Sequence, residues 1–199
     1  MWTAEVESVT KRETIARVTE ARQVSRPSLE LILGMSLIRI PSFELALEKA
    51  VEVGVTRVVP FTATRSNVAP GQRHERWMRI VIEAAKQSKH YYLPRLEEPT
   101  AFTEVLSVPA ASKIIFAERG GGPLEPALAG SPVLYLIGPE GGWTDEELDA
   151  ARKAGFRLVS LVEAILKAET AAIAGAAVIQ YELACSRRSE NHPLQPGPS

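Results

Sequence analysis

Two loops and a handful of cations hold the residues of this chain that are equipped for chemistry. The first loop is Ile137-Gly-Pro-Glu-Gly-Gly142. Gly138 opens a turn, Pro139 fixes its own backbone and has no N–H to donate, and Gly141 and Gly142 permit positive φ or close approach of the backbone to a ligand. The second loop, Val162 to Glu169, carries Lys167 and Glu169. Each loop follows an apolar strand and leads into a helix, a setting in which backbone groups, more than charged side chains, hold a nucleotide-like ligand. The cations lie elsewhere. Arg65 sits in the loop from Thr62 to Arg73, and Lys86, Lys89 and His90 cluster at the C-terminal end of a helix. That cluster suits the helix dipole and equally suits contact with RNA.

The familiar alternatives are missing. There is no G-x-G-x-x-G after a strand, no G-x-x-x-x-G-K-[ST] and no G-x-S-x-G, which leaves dinucleotide folds, P-loops and nucleophile elbows without support. His74, His90, His192 and Cys185 are too scattered to form a metal-ligand pattern, so no metal is expected. The lone cysteine excludes an internal disulfide and fits a reducing cytoplasm; on a helix it reads as core filler before it reads as a reactive thiol. A net charge of -1 shows no overall basic bias, so any surface for nucleic acid must be local. No apolar run approaches the roughly 20 residues of a membrane helix, and the first residues lack a signal-peptide core.

The elements that must position these residues follow from periodicity. Val133 to Ile137 is an unbroken apolar run, as expected of a strand covered on both faces. Thr144 and Glu147 have capping-box spacing, so a helix is expected from Asp145 to Lys153, stopped by Gly155. Phe156 to Leu161, Lys113 to Ala117 and Val55 to Phe61 read as further strands. A helix with Ser42 as its cap ends at Gly54; another begins near His74 and buries Trp77. Thr103 to Leu106 reads as a short helix, and Glu118-Arg-Gly-Gly-Gly122 as a flexible turn. Thr170 to Cys185 is an alanine-rich helix whose small face, Ala171, Ala174 and Gly175, accepts a helix of the same fold or of a partner subunit. Residues 1–33 read as three short strands, too few for a core of their own, and 186–199 as a disordered tail. Helix and strand alternate after residue 40, which predicts an α/β fold with a mostly parallel sheet flanked by helices.

The first loop with Thr144-Asp-Glu-Glu147, and Leu161-Val-Glu-Ala-Ile-Leu-Lys-Ala-Glu-Thr-Ala171 downstream, resemble the paired motifs of the RsmE family of SPOUT-class rRNA uridine-N3 methyltransferases. Lys49 to Val55, Pro60 to Val68, Arg76-Trp77 and Glu83 to Ser88 resemble family segments in the same order, so the likeness covers roughly residues 35–185. It implies a C-terminal trefoil knot, a homodimer and S-adenosylmethionine as cofactor, held by Ile137, Gly138, Pro139, Glu140, Gly141, Gly142, Leu161, Ala164, Ile165 and Leu166. It places Lys167, Glu169 and Arg65 at the reaction, with Lys167 and Arg65 toward RNA or uracil. Glu169 either caps the last helix or acts as general base, and Glu140 either orients its loop or approaches the sulfonium. Arg65, Lys86, Lys89 and His90 are the expected contacts to small-subunit rRNA.

The implied domains are a partial PUA-like β segment (1–33), a SPOUT methyltransferase domain (34–185) and the tail. Residues 1–33 match only the final strands of the family's RNA-binding barrel, as a shortened start or a reduced module would. The family's Leu-Gly-Pro-Arg becomes Leu161-Val-Glu-Ala164, and Lys167 replaces an arginine. An ammonium keeps the charge and loses the guanidinium fork; Ala164 keeps neither. These changes weaken RNA anchoring more than cofactor binding. The expected activity is N3-methylation of a uridine in 16S rRNA. A non-catalytic SPOUT-fold RNA-binding or ribosome-assembly factor, or a SPOUT methyltransferase with another RNA target, is the alternative.

Overall fold

The structure, a computed structural model, describes residues 2–24, 27–68 and 71–191. It opens with an antiparallel hairpin, β1 (Trp2–Val9) and β2 (Thr14–Ala21), exposed along both strands. The third strand expected in that segment belongs elsewhere. Leu31–Ser36 (β3) is fully buried at the centre of a parallel sheet. Its six residues have no polar face, which is why they are stable only between two helix layers and not in an exposed hairpin.

From β3 the chain passes into α1 (Ile40–Val53), which Arg39 precedes, with Pro41 in its first turn and Gly54 closing it at φ 103°. Pro41 is inside the helix, where its missing N–H costs nothing, so the expected cap at Ser42 moves back to Arg39. β4 (Arg57–Thr62), α2 (His74–Gln87), the short strands β5 (Arg95–Leu96) and β6 (Thr100–Ala101), and α3 (Phe102–Val105) complete the first half. The second half is β7 (Ser112–Phe116), β8 (Val133–Ile137), α4 (Asp145–Lys153), β9 (Arg157–Val159) and α5 (Ala168–Asn191). The last helix continues past Cys185 to Asn191, which corrects the expected tail over 186–191; residues 192–199 lie outside the described residues.

All pairings of the main sheet are parallel, in the order β5-β4-β3-β8-β7-β9, with β6 beside β4. Alternate residues of the strands feed two cores. Leu31, Leu33, Met35, Tyr135 and Ile137 meet α1, α2 and α5; Ile32, Phe61, Ile115, Leu134 and Leu136 meet α3 and α4. Burial pushes the Tyr135 hydroxyl well above the usual phenol range, so it stays neutral and donates to the carbonyl of Ala172, 3.1 Å away, tying α5 to β8. In the first core Trp77 is 1% exposed, its ring centroid 4.5 Å from that of Phe43. Trp77→Ala is expected to cost about 4 kcal/mol in urea unfolding. Among the described residues the indole N–H of Trp77 has no partner. Trp77→Phe deletes that unmet donor along with some volume, and should therefore cost less than half as much.

A cleft at the carboxyl ends of the strands

The strand order reverses between β3 and β8. β3 leads outward toward β4, while β8 is reached from β7 on the other side. Chain segments leaving two such strands diverge and leave a crevice, the usual ligand position in open α/β sheets. Here a cavity of about 620 Å³ opens there. Five segments line it, each leaving the carboxyl end of a strand: Arg39 after β3, Arg65 after β4, Phe116 to Arg119 at the end of β7, Ile137 to Trp143 after β8, and Ile165 to Glu169 after β9.

The loop after β8 is held from several directions. Thr144 and Glu147 form the expected capping box, with the Glu147 N–H donating to Thr144 Oγ1 at 3.2 Å and the Thr144 N–H to Glu147 Oε2 at 3.0 Å. The second carboxylate oxygen of the buried Glu147 accepts from the N–H of Thr64 at 2.8 Å. One side chain thus starts α4 and fastens the β4 loop to it. Trp143 donates its indole N–H to the carbonyl of Phe116 at 2.9 Å and stacks 6.1 Å from the ring of Phe61. A Cβ on Gly138 would lie 2.7 Å from that indole, so glycine is required for the approach. Glu147→Ala removes two charge-assisted hydrogen bonds and should cost about 3 kcal/mol in denaturant unfolding.

The charged groups divide into those with partners and those without. Arg65 donates from one arm to the carbonyls of Gly141 (3.0 Å) and Trp143 (3.2 Å). Glu140 accepts from Arg39 at 3.0 Å, and that hydrogen bond holds the guanidinium above its ordinary range. Glu169 lies in the first turn of α5, where a carboxylate suits the dipole, and accepts from the Ser42 hydroxyl at 3.3 Å. The side chains of Lys167 and Arg119 are exposed and, among the described residues, have neither hydrogen bond nor ion pair.

A profile of the RNA methyltransferase domain matches residues 25–180. The chain belongs to this RNA methyltransferase family. Ribosomal RNA small subunit methyltransferase E of Mesomycoplasma hyopneumoniae is 32% identical over 155 residues, covering 75% of this chain and 68% of that protein. The Synechocystis protein of the same name is 32% identical over 180 residues, 86% of this chain; the chain spans 59% of that relative's length. The crystal structure of the Neisseria gonorrhoeae enzyme of that name, bound to S-adenosyl methionine, superposes with a TM-score of 0.85 at 30% identity, covering 90% of this chain and 78% of that one.

Within this methyltransferase domain the structure brings Ile137, Gly138, Pro139, Glu140, Gly141, Gly142, Ile165, Leu166, Lys167, Glu169 and Arg65 to one cleft. Leu161 and Ala164, expected in the same wall, do not line it: Leu161 packs against the core and Ala164 points outward, exposed. Lys86, Lys89 and His90 are not in it either. α2 starts beyond the carboxyl end of β4 and runs back toward β5, whose Arg95 pairs with Arg57 at the start of β4, so its C-terminal end lies at the opposite edge of the sheet. There Lys86 pairs with Glu83 and His90 lies 3.3 Å from the carbonyl of Glu52.

Sequence reasoning missed Arg39 and the segment from Phe116 to Arg119. Arg39 was legible in principle, since Leu31 to Ile38 is apolar apart from Ser36 and Arg39 is the first charged residue beyond it. The glycines after Arg119 read as a flexible turn, whereas the chain there is clamped. The Ala117 N–H donates to Val159, the Gly122 N–H to Leu158, and the Ser160 N–H returns to Gly122. A Cβ on Gly121 would lie 2.4 Å from the Ser160 nitrogen. Gly121 therefore serves close packing beside β9, while Gly120 takes a φ of 73° in open space.

Proposed function

We propose that this chain is an S-adenosylmethionine-dependent methyltransferase acting on N3 of a uridine in small-subunit ribosomal RNA. The observation that carries the reading is the convergence of two loops, after β8 and after β9, on one cleft whose outer charges include two unpaired cations. The residues suit the cofactor. Ile137, Leu148, Ile165 and Leu166 supply an apolar wall for an adenosine, backbone groups of 138–142 and 165–167 its polar edges, and the carboxylates of Glu140 and Glu169 a negative field for a cationic ligand. When bound, S-adenosylmethionine supplies an activated methyl group on a sulfonium.

The chain's own contribution is positioning and charge. Glu147, Trp143 and Arg65 fix the β8 loop, so that a ligand held there meets the RNA base in a set orientation. A uridine N3 must lose its proton before it attacks, and Lys167, exposed and unpaired at the cleft, stabilises the resulting anion. Glu169, tied to Ser42 at the head of α5, acts as a positioning group more than as a base. The target base must leave any stack to enter a cleft of this size.

The reading extends to assembly and location: β1 and β2 as strands of a PUA-like RNA-binding module, a trefoil knot formed around the loops after β8 and β9, a homodimer, and work in the cytoplasm. Support for the homodimer is the apolar surface of Val178 (39% exposed) and Tyr181 (67%) on α5. No helix among the described residues is long and apolar enough to cross a membrane.

Calorimetry with S-adenosylmethionine is expected to give one site per chain, with light scattering giving a dimer. Incubation with small subunits from a strain lacking its own enzyme should yield N3-methyluridine by nucleoside mass spectrometry. Cofactor binding without any methylated nucleoside would instead establish a non-catalytic RNA-binding protein, and a methylated nucleoside at another position a different RNA target.

A further inference from the structure

Among the described residues, Arg119 is the one guanidinium lining the cleft whose side chain has no partner. Arg39 is paired with Glu140, and Arg65 is turned onto two carbonyls of the β8 loop. Arg119 makes neither kind of contact among the described residues, and it is exposed at the rim. Its backbone, by contrast, is fixed. The segment from Ala117 to Gly122 is bonded at both ends to residues 158–160, with Ser160 Oγ also donating to Ala117 at 3.1 Å. Trp143 secures the preceding carbonyl of Phe116. A free five-donor fork on a rigid base loses little backbone entropy on binding, and its planar geometry matches the two oxygens of a phosphate.

We propose that Arg119 anchors a backbone phosphate of the RNA next to the target nucleotide. The inference rests on the function proposed above. It also accounts for the position where the second loop carries Ala164, which faces outward and has no charge to offer. The anchoring guanidinium is supplied from the β7 side of the cleft, and Lys167 on the facing segment is left for the base. A carboxylate, such as the one on the cofactor's amino-acid end, has similar chemistry to a phosphate, and the test separates the two.

The intact protein is assayed for RNA affinity by filter binding across 50 to about 300 mM salt, and for S-adenosylmethionine affinity by calorimetry, as wild type, Arg119→Ala and Arg119→Lys. Arg119→Ala is expected to weaken RNA binding about tenfold and to lower the slope of log affinity against log salt by about 0.7, the share of one phosphate contact on a single strand. Cofactor affinity should stay within about twofold. Arg119→Lys should restore the slope and only part of the affinity, since an ammonium replaces the charge without the fork. An unchanged slope in Arg119→Ala overturns the assignment, as does a loss of cofactor affinity matching the loss for RNA. If the wild type methylates RNA and Arg119→Ala binds it equally well, the assignment fails while the proposed function stands. If the wild type binds no RNA, both fall.

Discussion

Gly138→Ala is expected to weaken S-adenosylmethionine binding by about 100-fold while leaving the chain folded. The added Cβ would meet Trp143 at 2.7 Å from Cε2, 3.0 Å from Nε1 and 3.1 Å from Cδ2. The indole cannot easily retreat. Its N–H is engaged with the Phe116 carbonyl, one face stacks on Phe61, and Phe102 lies 5.4 Å from its centroid. Either the hydrogen bond breaks or the β8 loop moves, and overpacking of this kind costs about 1–3 kcal/mol. Because the loop is the movable member, most of that cost falls on the cleft. The other glycines of the loop set a scale. A Cβ on Gly141 would lie 3.1 Å from Arg65 Cβ, on a segment that can shift by a few tenths of an ångström. Gly142 has open space around it, and its φ of 71° makes backbone strain the main penalty, about 1–2 kcal/mol. Calorimetry should rank the alanine variants with Gly138 by far the weakest binder. Near-equal losses at all three sites would mean that steric approach to Trp143 is not what shapes the loop.

The parts of this fold visible in the sequence were those set by local rules. The apolar run Val133–Ile137, the Thr144–Glu147 box and the stop at Gly54 each depend on residues a few positions apart. The misplaced parts depended on partners far away. Leu31–Ser36 looks like another hairpin strand until its neighbours β4 and β8, 25 and about 100 residues on, pair with both of its edges and the two helix layers cover its faces. With β3 in the wrong module, Arg39 was not recognised at the cleft. The glycine triplet failed for a related reason. Gly121 is small because Ser160 lies against it, and no rule of turns contains Ser160. Arg65 shows the limit in another way: its presence at the cleft was expected, yet its engagement with Gly141 and Trp143 depends on a β8 loop whose path its own segment does not reveal.

Lys167→Ala should lower methyl transfer by about 10²–10³, with cofactor affinity nearly unchanged. Lys167 is the residue before α5, at the end of the loop that supplies Ile165 and Leu166 to the apolar wall. Its side chain is exposed at the cleft, where the proposed function would have the base approach. Neither nearby carboxylate forms an ion pair with it among the described residues: Glu169 accepts from Ser42 and Glu140 from Arg39. A cation there favours the anionic form of a bound uridine, and removing it raises the pH at which the base loses its proton. The rate of Lys167→Ala should consequently keep rising with pH beyond the point where the wild type levels off. Lys167→Arg should recover most of the rate, because charge, not fork geometry, is what the anion needs. This separates Lys167 from a phosphate contact. A residue that held only the RNA backbone would change the salt dependence of RNA binding and leave the pH profile where it was. Single-turnover rates at saturating RNA across the pH range decide the matter, and a profile for Lys167→Ala parallel to the wild type would remove Lys167 from the chemical step.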